Sequence, residues 1–298
     1  MLPAFKILNT NSIADAVHQL ARLGDQVRVY GGGTELLILL RHNLVRTEYL
    51  LNIKTIDQLS QIGWASDRVV IGAAVTHRRL ELDTTIRETL PMLAHAESQV
   101  ANIRVRGQGT IGGNLCFNDP HSDPATALLI YDAEARIHGP SRERQIPLQE
   151  FLVGMYTTAL ESDELLVAIH VPRLPVGFGS SYLRIHRLQR PTLGVAAAAR
   201  CQNGEIEEVR FAVGCIGPKA LRLAELESKI RGATLADSKK IIKETKPYLR
   251  SALEPIDDLL GSAEYKLYLT VILLERALDD AVNDIERNPN GSSPESNR

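Results

Sequence analysis

Cysteine is scarce: three in 298 residues, at 116, 201 and 215. They form no C-x-x-C pair and no Cys/His cluster, so their spacing suits neither structural zinc nor an iron–sulfur centre, and the chain supplies no metal ligands. Each reads as a small half-buried thiol. Charge of one sign is also missing. Lys plus Arg is 34 and Asp plus Glu is 36, a formal charge of −2. That balance excludes the electrostatic footprint of a nucleic-acid reader or a partner for acidic membrane. Apolar runs are short, as in Leu36-Leu37-Ile38-Leu39-Leu40, far below the roughly 20 residues of a membrane span. The opening Met1-Leu2-Pro3-Ala4-Phe5-Lys6 has no basic region leading into an apolar stretch, so a cytoplasmic, reduced protein is expected. Neither G-x-S-x-G nor H-E-x-x-H occurs, and no catalytic acid–base residue is assigned.

What remains is an ordinary globular composition, 44% hydrophobic and 23% charged, with length for one large or two ordinary domains. Ser12 caps an amphipathic helix in which Ile13, Ala16, Val17 and Leu20 share a face and Asp15 completes a shortened capping box; Gly24 ends it. Residues 27–30 alternate as a strand, run into Gly31-Gly32-Gly33, and are followed by a buried helix over 34–41 and a second strand over 49–53. A strand over 68–73, helices around 77–83 and 91–101, and a second glycine-rich turn at 107–113 come next. Asp123 and Pro124 open a helix over 125–131, with Asp123 as its cap. Strands are expected near 134–138 and 164–171, and residues 172–179 form the linker. Beyond it, strands over 194–200 and 207–216 flank an Asn203-Gly204 hairpin turn. Helices over 220–230, 235–244 and 263–286 complete the chain, and residues 287–298 are expected to be disordered.

The chemistry lies in two glycine-rich turns, Gly31-Gly32-Gly33-Thr34 and Gly107-Gln108-Gly109-Thr110-Ile111-Gly112-Gly113-Asn114. Without Cβ atoms the backbone can approach a bulky anion, and successive N–H groups make a nest for phosphate oxygens. Neither turn fits a nucleoside-triphosphate loop, and Leu36 stands where a G-x-G-x-x-G motif needs its third glycine. Together, two such turns about 80 residues apart can hold both phosphates of a dinucleotide. Arg104 and Arg106 either complement that charge or sit in solvent.

Tyr30-Gly31-Gly32-Gly33-Thr34-Glu35-Leu36, Ile103-Arg104 and Gly109-Thr110-Ile111-Gly112-Gly113-Asn114 carry a resemblance, extended by Asn118-Asp119-Pro120, Ser122-Asp123-Pro124, Asp163-Glu164-Leu165-Leu166 and Ile169-His170-Val171-Pro172. The chain resembles the FAD-binding medium subunit of the molybdenum hydroxylases, the group of aerobic carbon monoxide dehydrogenase and xanthine dehydrogenase. The resemblance covers residues 1 to about 286. It implies an α+β fold: a two-part FAD-binding domain of the PCMH (vanillyl-alcohol-oxidase-like) type over 1–175, with parts of about 1–56 and 57–175. A smaller C-terminal domain of antiparallel strands and helices follows over 176–286.

The resemblance further implies that Tyr30, Gly31, Gly32, Gly33, Thr34, Glu35 and Leu36, with Thr110, Ile111, Gly112, Gly113 and Asn114, bind FAD. Asp123 falls on the family's aspartate for the adenosine end, beside or instead of its capping role. Val100 and Leu166 match positions against the cofactor rings, and a family lysine near the flavin falls on Arg184 or Leu183. Thr192-Leu193 stands where several relatives carry a tyrosine against the flavin. His77 is either a satisfied surface histidine or a group close to flavin chemistry. The implied role is electron transfer, from [2Fe–2S] clusters on a small partner subunit through FAD to an external acceptor. A large partner subunit would carry the molybdopterin cofactor, in an assembly of two copies of three subunits to which 267, 269, 271 and 274 could contribute apolar contacts. The alternative is a self-sufficient FAD-dependent reductase of the UDP-N-acetylenolpyruvoylglucosamine reductase type.

Overall fold

The computed structural model describes residues 2–186 and 190–287. The described residues divide into two compact bodies: those within 2–80, 101–118 and 132–172 form one, and those within 81–100, 119–131 and 173–287 the other. Both mix helices and strands, as an α+β fold requires.

The first body opens with three parallel strands, Lys6–Asn9 (β1), Val27–Tyr30 (β2) and Tyr49–Asn52 (β3), in the order β1-β3-β2. Helix Ile13–Leu23 forms as its pattern demands. Ser12 Oγ accepts from the Asp15 N–H at 3.1 Å, and Ala16, Val17 and Leu20 join Val27, Leu51, Ile56 and Val167 in one core. Since β2 ends at Tyr30, the first glycine turn emerges at the carboxyl end of a parallel strand, where α/β sheets place ligands.

An antiparallel sheet follows, built from Ile62–Ala65 (β4), Arg68–Gly72 (β5), Glu134–His138 (β6) and Glu143–Pro147 (β7). After a small hairpin of Leu152–Gly154 (β8) and Thr157–Thr158 (β9) comes its central strand, Leu165–Pro172 (β10). The order is β4-β5-β10-β6-β7. The central strand is apolar and nearly continuously buried.

The second body carries an antiparallel sheet of Gly179–His186 (β11), Pro191–Gln202 (β12), Glu205–Gly214 (β13) and Leu221–Arg222 (β14), in sequential order. Asn203 at φ 54° and Gly204 at φ 83° make the expected two-residue hairpin between β12 and β13. The long helix Ala263–Arg287 packs on this sheet. Gly179 permits the contact, because a Cβ there would lie 2.1 Å from the Ala281 carbonyl oxygen. Leu267 and Leu274 are fully buried in that core and Leu269 and Val271 pack against it, so these apolar residues are satisfied within the chain.

Several expectations are corrected. The helix after the first turn begins at Leu36, leaving Thr34 and Glu35 in the turn. The helical stretch near 91–101 is Pro91–Ser98, preceded by a separate helix Thr84–Thr89. The helix expected from 220 starts at Ala224, after the short strand β14. Of the tail expected to be disordered, Arg287 ends the long helix and residues 288–298 lie outside the described residues. Among the described residues no helix is long and apolar enough to cross a membrane.

Candidate functional site

From Tyr30 the chain turns through Gly31, Gly32 and Gly33 before helix Leu36–Arg41. Gly33 has φ +73°, and a Cβ there would fall 2.4 Å from the Tyr30 ring. Gly32 is required by a close approach instead: its Cβ would meet the Gln108 carbonyl oxygen at 2.3 Å and the Gly109 Cα at 2.6 Å. The first turn therefore rests backbone to backbone on the second. No described residue accepts a hydrogen bond from the backbone N–H of Gly31, Gly32, Gly33 or Thr34. All four residues are partly exposed. A row of open donors around a positive-φ glycine is the geometry that receives an oxyanion.

The second turn is built differently. Helix Ile103–Gln108, capped by Asn102 Oδ1, meets helix Ile111–Phe117 at a two-residue joint, Gly109-Thr110. The stretch expected as an open glycine-rich turn is thus mostly helix. Its donors are already engaged: Ile111 N–H with the Val75 carbonyl at 3.0 Å, Gly112 N–H with Ala73 at 2.9 Å, Gly113 N–H with Thr110 Oγ1 at 3.1 Å and Asn114 N–H with Thr110 at 2.9 Å. A Cβ on Gly112 would lie 2.5 Å from the Ala73 carbonyl oxygen, so this glycine seats the helix against the chain after β5. Gly113 is exposed and leaves the helix start open to close approach. His77 is buried rather than at the surface; its N–H donates to the Gly109 carbonyl at 3.1 Å, tying it to the joint.

In the second body, Asp123 occupies the first residue of helix Asp123–Ile130 and does not cap it; Ser122 stands at the cap position. The carboxylate is engaged elsewhere. Tyr182 Oη donates to Oδ1 at 2.6 Å, and Arg184 Nη1 donates to Oδ2 at 2.8 Å and to the Gln99 carbonyl. Burial pushes the Asp123 carboxyl up to about 6, against the opposing pull of the Arg184 charge and the Tyr182 hydrogen bond. Burial likewise holds the Tyr182 hydroxyl well above its ordinary value.

The remaining candidates are apolar. Val100 is buried at the end of its segment in the second body, and Leu166 is buried in β10 of the first. Leu193 belongs to the second body's core and Thr192 is buried beside it in sequence. Burial raises the Cys116 thiol to about 12 and the Cys215 thiol well above its ordinary value, so neither is a thiolate nucleophile.

Two residues escaped the sequence reading. Tyr182 lies two residues before Arg184 on β11, hence on the same strand face, a spacing that could have paired them. Lys54, just past β3, places its ammonium 4.2 Å from the centroid of the Tyr30 ring; no motif announces it.

The model of the family described as FAD binding domain in molybdopterin dehydrogenase matches residues 3–174, and that of the CO dehydrogenase flavoprotein C-terminal domain matches 183–281. The chain is 30% identical over 281 residues to the carbon monoxide dehydrogenase medium chain of Hydrogenophaga pseudoflava, spanning 94% of this chain and 97% of that one. It is 32% identical over 282 residues to the xanthine dehydrogenase FAD-binding subunit of Escherichia coli O157:H7, spanning 91% and 94%. A solved carbon monoxide dehydrogenase from H. pseudoflava, lacking the Mo-pyranopterin moiety of its molybdenum cofactor, superimposes with a TM-score of 0.91 at 30% identity, over 95% of this chain and 99% of that one.

Proposed function

The chain belongs to the family of FAD-binding subunits of molybdopterin dehydrogenases, and on that premise we propose that it is the electron-transfer subunit of a molybdenum-containing hydroxylase or dehydrogenase. It is a flavoprotein oxidoreductase subunit whose cofactor is FAD. When bound, FAD supplies one- and two-electron chemistry between the [2Fe–2S] clusters of a small partner subunit and an external acceptor. A large partner subunit holds the molybdopterin cofactor, in a cytoplasmic assembly of two copies of each subunit. Residues 1–175 form the FAD-binding domain and 176–286 the C-terminal domain.

The observation that carries this reading is the row of open N–H donors from Gly31 to Thr34. It fits a diphosphate: each hydrogen bond to a charged oxygen nets about 1.5–3 kcal/mol. Tyr30, Glu35 and Leu36 frame that row. Gln108, Gly109 and the Thr110 side chain form the surface against which it is held, and of the residues from Thr110 to Asn114 that would complete the site, exposed Gly113 lets the diphosphate come close. Asp123 serves the adenosine end. Its carboxylate accepts from Tyr182 and Arg184, and a carboxylate has about four acceptor positions, so a ribose hydroxyl can still donate to it. Arg184 thereby acts in the site by fixing Asp123. Val100 and Leu166 exclude water from the rings.

Purification from the native host without dissociating partners tests the reading. Flavin and iron–sulfur absorption together with one larger and one smaller polypeptide are expected. A solitary flavin-bearing chain that turns over NADPH would instead establish the self-sufficient reductase.

A further inference from the structure

The glycine turn binds through dipoles alone, and none of its own residues is cationic. A diphosphate carries about two negative charges, which N–H dipoles balance only in part, so a full positive charge nearby adds to binding. Lys54 is placed to provide it. The Ile53 N–H donates to the Tyr30 carbonyl at 3.2 Å, which fixes the backbone before Lys54 beside the start of the turn. The Lys54 N–H donates to Asn52 Oδ1 at 3.2 Å. Its ammonium rests 4.2 Å from the Tyr30 ring centroid, and that same ring lies against Gly33. One aromatic ring thus touches both the positive-φ glycine and the cation. At 0.1 M salt a charge is felt over about 10 Å, a reach that spans one aromatic ring with the ammonium on one side and Gly33 on the other. Among the described residues no carboxylate pairs with Lys54, and a cation–π contact leaves the ammonium protons available to oxygen acceptors.

We propose that Lys54, held over the Tyr30 ring, is a diphosphate-binding residue of the FAD site, supplying the full positive charge that the glycine turn lacks. This role rests on the FAD reading above. Tyr30 positions the ammonium and presses on Gly33, and the flexible stem lets the charge swing from the ring to a phosphate oxygen. An arginine at 54 would preserve the charge and the stacking; a glutamine would remove the charge and keep the length.

The test is a fluorescence titration of the full-length chain, freed of flavin, with FAD and separately with riboflavin, which has no phosphate, at low and high salt. Lys54→Gln is expected to weaken FAD about 5-fold at low salt, to flatten the salt dependence of the FAD affinity, and to leave riboflavin unchanged. Lys54→Glu should weaken FAD further, and Lys54→Arg should restore it. Wild-type FAD affinity and salt dependence in both Lys54→Gln and Lys54→Glu would overturn the role while leaving the FAD reading intact. Equal losses for riboflavin and FAD would also overturn it, since the effect would then not be on phosphate. A wild-type chain that takes up no FAD overturns the cofactor reading itself.

Discussion

Arg184 Nη1 lies 2.8 Å from Asp123 Oδ2, with both side chains 4% exposed. The pair joins the start of a helix to the middle of a strand 61 residues away, and Tyr182 completes it from the same strand face. A buried pair of this kind is weak evidence for stability in itself, but breaking it strands a charge. Arg184→Met should therefore cost about 3 kcal/mol or more in chemical denaturation, with Arg184→Lys less damaging. It should also weaken FAD, because the aspartate then takes up a proton at neutral pH. A loss below about 1 kcal/mol, the range of an exposed pair, would mean that the pair is not desolvated.

The Asp123 carboxyl, raised by burial to about 6, gives a pH dependence of unusual sign. Because the folded chain favours the protonated form, this group contributes stability that is complete below its ordinary value of 3.8 and is lost as pH rises through about 6. Asp123→Asn removes the titration. Relative to that variant, the wild type should lose about 2 kcal/mol between pH 4 and pH 7, read from urea midpoints at each pH. A flat difference would show that Arg184 fully compensates the burial.

Close backbone approach makes a separate prediction at the glycines. Gly32→Ala places a methyl 2.3 Å from the Gln108 carbonyl oxygen, and Gly112→Val places branched carbon 2.5 Å from that of Ala73. Each should cost about 1–3 kcal/mol by overpacking. Gly32→Ala should in addition lower the FAD content of the purified chain at least tenfold, because it parts the open donors from their support. Retention of stoichiometric FAD by Gly32→Ala would contradict the placement of the diphosphate.

Gly204 provides the control. It sits at φ +83° in the β12–β13 hairpin, and a Cβ added there would meet nothing within 4 Å beyond its chain neighbours. Gly204→Val should destabilise by about 1–2 kcal/mol through left-handed backbone strain alone. FAD content per folded chain should be unchanged; a coupled loss would indicate that general stability, and not the cradle, governs flavin retention.

What could be read in the residues was local. Ser12, Asp15 and the spacing of Ile13, Ala16, Val17 and Leu20 fix the first helix, Asn203-Gly204 fixes a hairpin, and helix Leu235–Glu244 falls where its pattern puts it. Strand β1 is silent because three of its four residues are exposed and no alternation is written in them. Helix Lys246–Leu253 follows its neighbour after a single residue, so no glycine or loop marks its start. The site was half legible. Two glycine motifs announced a cradle, but glycines at 107, 112 and 113 read as a turn when they lie in helices, and Gly112 is needed for packing on Ala73. That reason is tertiary, and so is the diversion of Asp123 from a cap to Tyr182 and Arg184.

Backbone amide exchange at residues 31–34 and 111–114, compared in the flavin-loaded and flavin-free full-length chain, tests the cradle most directly. If the open donors of the first turn hold the diphosphate, exchange at Gly32, Gly33 and Thr34 slows at least tenfold on FAD binding. Gly112 and Asn114, already bonded to Ala73 and Thr110, should be protected in both states. Equal exchange at 32–34 with and without FAD, or protection gained at 111–114 alone, would contradict it.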